Sequence, residues 1–325
     1  MLRKSRCLVL AMALILVVVS CTSFAAVKPV KLIYGHIWAA DHFYCKGDLY
    51  FKKLVEKKSK GKILIDYFPA SQLGTEREML QATMSGAQQM VLTSWNILGQ
   101  WWPKLQAFEL PYLIRDEAHQ LKLLDKLFSL VDPDELAAKT GVRIIGLRLS
   151  SPRHLYSKIP INKFEDLKGL KIRLPETPVF IAFWKESGAI PTVIPLTDAY
   201  TALATGTANA LEGAFDQTYS QKFYEQVKYC ALTGHMRGFY LMAINYKFWN
   251  NLTRMQKKII QDAADKSTKF MVKESQKSEE GYKKLLVKEG MKFTKPDLDP
   301  FREKAKILWK RFGDQDLIKK IDAVK

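Results

Sequence analysis

The feature that most constrains this chain is an alternation of short apolar runs and amphipathic segments that runs once and then restarts. Lys31–Gly35 reads as a strand, and Phe43–Lys60 carries Leu49, Phe51, Leu54 and Val55 near helical spacing and stops at Gly61. Ile63–Phe68 is a second strand ended by Pro69, Glu76–Ser85 a helix with Gly86 at its end, and Gln89–Thr93 a third strand. Val142–Arg148 adds one more. The pattern then begins again: strands at Gly169–Leu174, Ala189–Ile194 and Ala210–Glu212 alternate with helices at Thr177–Ser187 and Thr197–Thr205. Strand–helix alternation predicts a parallel sheet covered by helices. Its restart predicts two α/β lobes, joined near Ser150–Leu155, which suits 325 residues at roughly 150 per domain.

The last third departs from this pattern. Phe239–Asn245 reads as a strand returning to the first lobe, and Thr253–Glu289 is a charged stretch without proline. A single helix of that length would be about 55 Å long, more than one small lobe, so it either breaks at Gly281 or lies across both lobes. Repeats and Pro/Ser-rich linkers are absent, so the lobes should be joined by more than one crossing. The predicted division is 26–150 with 239–280 for the first lobe, and 151–238 with 281–325 for the second.

Residues 1–25 read as a secretory leader: Arg3, Lys4 and Arg6 precede the apolar run Leu8–Val19, and small residues follow. The run falls short of the roughly 20 residues a bilayer span needs. Ser23-Phe24-Ala25 fits a peptidase site before Ala26, while Val18-Val19-Ser20-Cys21 fits a lipobox that would leave Cys21 lipid-anchored; both routes stay open. A periplasmic location follows from either. Cys45 and Cys230 then remain in an oxidising compartment, either bridged or as two semi-buried thiols.

The formal charge is +18, of which the leader supplies three. The densest basic runs, Lys57–Lys62 and Lys319-Lys320, lack the interleaved aromatics of a nucleic-acid stacking platform, so no nucleic-acid partner is expected, and long-range attraction of organic anions is the compatible use of the charge. No G-x-S-x-G, H-E-x-x-H, Walker or G-x-G-x-x-G motif occurs. His36 and His42 could meet across a loop, but nothing nominates a third ligand, so no metal and no cofactor are expected.

Two arginines stand out by position. Arg173 alternates away from Leu170, Ile172 and Leu174 and sits at a strand's carboxyl end, just before Pro175. Ligands of open α/β sheets bind beyond those ends, and a guanidinium offers a fork that matches a carboxylate. Arg153 lies where the chain crosses between lobes, placed to reach a ligand or to hold the lobes together. His36, Ile37 and Trp38 after the first strand, and Ser94 and Trp95 after the third, fall where they could wall a pocket, with core packing as the alternative for the large rings.

In their order, several segments resemble the DctP-type extracytoplasmic solute receptors of tripartite ATP-independent periplasmic (TRAP) transporters. They are Gly35-His36, Pro69–Glu78, Leu110–Leu113, Glu165–Pro175, Ala199–Leu203 with Gly206, Gln221–Glu225 and Leu232–His235. The resemblance implies a two-lobed periplasmic binding protein with a central cleft and a long helix spanning both lobes. It implies that Arg173 forms the main ion pair with a substrate carboxylate, that Arg153 assists, and that the receptor catalyses nothing and delivers a small organic anion to TRAP membrane permease subunits. Most such receptors are monomers, some dimers. This chain departs from the pattern at Gly213, where relatives place an Asn that contacts the substrate, at Leu196, where an aromatic ring is common, and at Ile37, apolar where sialic-acid receptors carry Asn. Those departures argue for a less hydroxylated, bulkier or apolar-tailed acid. Asp216 is placed near the cleft, either facing ligand or capping a helix. The alternatives are an exported enzyme of similar architecture using His36, His42 or Asp216, and a solute receptor serving a sensor or another transporter class.

Overall fold

A computed structural model describes residues 28–325. The leader, both processing sites, Cys7 and Cys21 lie outside the described residues. The chain runs β1 (Val30–Gly35), α1 (Phe43–Ser59), β2 (Ile63–Phe68), α2 (Glu76–Ser85), β3 (Met90–Ser94), α3 (Trp95–Leu98), α4 (Glu117–Leu130), α5 (Pro133–Thr140) and β4 (Val142–Leu149). The second block is β5 (Arg153–Ser157), β6 (Lys171–Leu174), α6 (Pro178–Glu186), β7 (Ile190–Val193), α7 (Ala199–Ala204), β8 (Ala210–Gly213), α8 (Phe215–Ser220) and β9 (Tyr229–Met236). It closes with β10 (Phe239–Asn245), α9 (Tyr246–Asn251), α10 (Arg254–Lys288), β11 (Lys292–Thr294), α11 (Asp299–Trp309) and α12 (Gln315–Asp322).

Two sheets result, ordered β2-β1-β3-β10-β4 and β11-β9-β5-β8-β6-β7. Each is parallel except for one strand: β10 runs antiparallel to β3 and β4, and β5 antiparallel to β8 and β9. Those two are the strands laid down where the chain changes lobe, from β4 into β5 and from β9 into β10. A chain that arrives at the cleft along one strand and crosses directly must enter the other sheet heading away from it. The beginnings of the reversed strands, Arg153-His154 and Phe239-Tyr240, therefore sit at the same end as the carboxyl ends of β8 and β3, with His154 opposite Gly213 and Tyr240 opposite Ser94.

The two crossings run side by side. The Ser150 N–H donates to the Gly238 carbonyl (3.0 Å), and the buried Gln120 amide of α4 donates to both Ser150 O (2.9 Å) and Gly238 O (2.6 Å). α10 is a third crossing. Its start is set by a capping box of Thr253 and Gln256, and it continues through Gly281 for 35 residues, about 52 Å. Ile260, Ala263, Ala264 and Met271 join the first lobe's core and Leu286 the second's, so the helix lies across both lobes. Close approach is made possible by Gly47 of α1, where a Cβ would come within 2.3 Å of Met271 Cγ.

The second sheet is covered on both faces. Leu155 packs with Ile172, Trp184 and Phe301, while its neighbour Tyr156 points the other way, with Leu203, Leu211 and Leu286. One predicted boundary needs correcting. The chain's last helix, expected in the second lobe, puts Leu317, Ile318 and Ile321 into the first lobe's core against α4. Arg115 donates to Asp322 Oδ1 at 2.9 Å alongside. Cys45 and Cys230 are buried free thiols, so the bridge foreseen as one option does not form. Burial pushes the Cys45 thiol up to about 11.

Candidate functional site

The carboxyl ends of β1, β3, β6, β7 and β8 and the beginnings of β5 and β10 converge on a cavity of about 300 Å³ between the lobes. That is the small end of the roughly 300–1,000 Å³ found for small-molecule sites. Ile37, Glu76, Asn96, Ile97 and Tyr240 line it from the first lobe; Arg153, Arg173, Val193, Leu196 and Gln217 line it from the second.

Arg173 is carried to the cavity by β6, whose neighbour β7 receives the guanidinium Nε–H at the Ile194 carbonyl (2.8 Å). Among the described residues its two terminal nitrogens have no hydrogen-bond partner, and no carboxylate pairs with it. Burial draws the group down to about 10, against an upward pull from Glu212, so it remains a cation at neutral pH. Arg153 is differently placed. Its Nε and one terminal nitrogen donate to the two oxygens of Glu212 at 2.5 and 2.7 Å, a bidentate pair in which the Glu212 side chain is wholly buried. Burial works to raise Glu212, but Arg153, with His235 at 3.4 Å, holds the carboxyl down at about 2.

Three further acids bear on the cavity. Glu76, at the start of α2, accepts from the Thr93 hydroxyl (3.0 Å) and from the Ser94 N–H and hydroxyl (2.7 and 2.6 Å). Glu109 is buried beside a side pocket of about 20 Å³ that shares Asn96, Arg153 and Tyr240 with the main cavity. Burial pushes its carboxyl up to about 8, with Arg153 opposing and Glu212 and Glu76 adding to the rise. At the mouth, Glu176 of the second lobe accepts from Arg77 of the first (2.7 Å), and its carbonyl accepts from Gln100 (2.6 Å).

Of the residues singled out in the sequence, Arg153, Arg173, Ile37 and Leu196 line this cavity. The others do not, for identifiable reasons. His36 is turned into the first lobe: Nε2 lies 2.5 Å from the Tyr67 hydroxyl and 3.6 Å from Asp48, Nδ1 accepts the Trp38 N–H, and burial lowers it to about 4. Trp38 stacks on His42 with centroids 4.4 Å apart, and Trp95 on Phe108 at 4.7 Å. Ser94 is engaged with Glu76. Asp216 neither lines the cavity nor caps α8, whose cap position is Ala214; it accepts from His42 Nε2 across the lobes at 3.0 Å. Gly213 lies behind Gln217, whose Oε1 occupies the space a Cβ there would need. His36 and His42 thus have separate partners, and among the described residues no group of three or more His, Cys, Asp or Glu is arranged to hold a metal. No described helix is long and apolar enough to cross a membrane.

Sequence reasoning missed Glu76, Asn96, Gln217 and Tyr240. Gln217 stands four residues after Gly213, but the chain passes from β8 into α8 between them, so no single periodicity linked the two.

The family model for bacterial extracellular solute-binding proteins, family 7, matches residues 34–316. The chain belongs to this family. A sialic acid-binding periplasmic protein of Vibrio cholerae is 31% identical over 83% of this chain and 85% of its own length. Among solved structures, a TRAP periplasmic solute binding protein from a Polaromonas species, bound to D-erythronate, is 30% identical with a TM-score of 0.84, covering 91% of this chain and 99% of that one. A counterpart from Xanthobacter autotrophicus with bound β-D-galacturonate is 26% identical, with a TM-score of 0.86 over 90% of this chain and 100% of its own. The two-lobed fold is the family's, and the family consists of extracytoplasmic binding proteins serving transport rather than enzymes.

Proposed function

We propose that the protein is an extracytoplasmic receptor that captures a small organic acid between its lobes and hands it to a TRAP membrane permease. The observation that carries the reading is Arg173: a buried guanidinium that lines the cavity, held in place by one backbone carbonyl, with no anion among the described residues to meet its remaining donors. A carboxylate would accept two charge-assisted hydrogen bonds there. Arg153 supports it from the neighbouring edge of the site while its own charge is met by Glu212. The named ligands of the relatives are themselves acids, including erythronate, galacturonate and sialic acid. The enzyme alternative drew on His36, His42 and Asp216, none of which lines the cavity.

Native mass spectrometry of the protein purified from its exporting host, before and after unfolding and refolding, tests this directly. The expected result is a co-purifying small acid that is lost on unfolding. A protein that arrives empty and binds no mono-, di- or sugar carboxylate in calorimetry would end the reading. The same spectrum gives the mature mass, which separates cleavage after Ala25 from lipid attachment at Cys21, and the oligomeric state, expected to be monomeric.

A further inference from the structure

A lysine-rich face, none of which lines the cavity, runs along the outer side of α1 and α10. The two helices pair antiparallel. Lys46 meets Glu274 (3.5 Å), Tyr50 meets Phe270 (ring centroids 5.1 Å apart) and Lys58 meets Asp262 (3.4 Å), so residue numbers fall along one helix as they rise along the other. The two acids in this seam are each shared, Asp262 between Lys58 and Lys258, and Glu274 between Lys46 and Lys277. Lys53 and Lys57 of α1 and Lys266, Lys269 and Lys273 of α10 are exposed, and among the described residues none of them pairs with a carboxylate. Spacing of three and four residues puts the last three on one side of α10, turned from the core positions Ala263, Ala264 and Met271.

Two features indicate what this charge meets. It is repeated along two helices, with the half-buried rings of Tyr50 and Phe270 between them, and is not focused on one point. Such a face suits an array of headgroups, where each ammonium finds its own phosphate and the apolar seam lies at the boundary of the acyl layer. The chain also enters the fold here. The Val30 N–H at the start of β1 donates to the Lys62 carbonyl (2.9 Å), just beyond the end of α1, where Lys60 and Lys62 are exposed. A lipid at Cys21, one of the two processing routes, would stand seven residues before Lys28 and so within about 25 Å of it.

We propose that the lysine face of α1 and α10 docks on an anionic phospholipid membrane. A single lipid chain holds a protein only marginally, and a basic patch supplies the second signal. Without the lipid, the patch alone gives a transient, salt-sensitive contact. Either way the loaded receptor meets a membrane partner by searching a surface instead of a volume. The inference goes beyond the cavity and does not depend on what the cavity binds.

Sedimentation of the mature protein with vesicles tests it, using phosphatidylcholine alone or with about one third phosphatidylglycerol. Binding to the anionic vesicles should be about tenfold or more the stronger, and that excess should vanish at high salt. The triple variant Lys266→Glu, Lys269→Glu, Lys273→Glu should lower partitioning onto anionic vesicles by about thirtyfold or more. Lys306→Glu, Lys319→Glu, Lys320→Glu reverses as many exposed charges on α11 and α12 and should change it by no more than about threefold. Thermal melting establishes that both variants are folded. Equal losses in the two would assign the attraction to net charge and overturn the face. Binding as strong to neutral as to anionic vesicles, or to neither, overturns the proposal with the unaltered protein alone.

Discussion

Arg153 and Arg173 flank one strand. β8 lies between β5 and β6, and its Glu212 lies opposite Leu155 on one side while Leu211 pairs with Arg173 on the other. Both guanidiniums reach the same cavity and both are nearly inaccessible to water, yet Glu212 closes both oxygens onto Arg153 and leaves the terminal nitrogens of Arg173 free. The difference separates two uses of a buried cation. One whose charge the protein satisfies fixes the architecture, here the first residue of the strand that enters the second lobe. One left unsatisfied stores its desolvation cost until an anion arrives.

Removing one member of a satisfied pair should produce the largest change in stability. Arg153→Met leaves Glu212 buried and ionised without its partner and should cost about 3–5 kcal/mol in denaturant unfolding; Glu212→Gln should act in the same direction. Arg173→Met removes an uncompensated buried charge, so stability should stay within about 1 kcal/mol or rise, while carboxylate affinity falls by about 2–5 kcal/mol. If the two methionine variants lose equal stability, the arginines are not doing different work and the comparison fails.

This contrast could not have been read from the sequence, and the reason is physical. Arg173 announces itself through strand alternation and the following Pro175, and the caps of α2 and α10 are spelled out by Thr75 with Glu78 and Thr253 with Gln256. What a buried arginine does depends on its partner, and Glu212 is 59 residues from Arg153 in the chain. Phe239–Asn245 was read as a strand, but its reversed direction and that of β5 were hidden for a similar reason, since an apolar run reads the same in either direction. His36, Trp38 and Trp95 were placed at the correct strand ends but turned inward, because large rings at a sheet's end bury more area against neighbours such as His42 and Phe108 than against an open cavity. Gly213 read as the loss of a substrate contact; the space beside it is filled by the Gln217 side chain from the following helix.

A smaller effect tests whether Arg153 is also shared with Glu109. That carboxyl, pushed up to about 8, holds a proton in the folded protein that the unfolded chain has released above roughly 4.3. Its contribution to stability is therefore greatest at the acid end of this window and declines as pH rises to 8. Above 8 it ionises beside the cavity and opposes an incoming anion, while Arg173, at about 10, is still charged. Calorimetry should show affinity for a monocarboxylate falling about tenfold between pH 7 and pH 9. Glu109→Gln should flatten that fall. A profile equally steep in the variant would assign the pH dependence elsewhere.

The third arginine extends the comparison to the surface. Arg77 and Glu176 join the lobes at the cavity mouth, with side chains 36% and 61% exposed, so water and salt already solvate both charges. Such a pair is worth about 0–1 kcal/mol, and none of that needs to appear in unfolding. It should appear in kinetics, because the contact exists only while the lobes are together. Arg77→Ala should leave the melting temperature nearly unchanged and speed ligand dissociation by about two- to fivefold in stopped-flow, an increase that raised ionic strength reproduces in the unaltered protein and not in the variant. Gln100, which holds the Glu176 carbonyl without charge, predicts a salt-insensitive increase when truncated. Should dissociation be indifferent to both substitutions, closure is held by the buried contacts alone, and the ranking of the three arginines by their access to water would end at two.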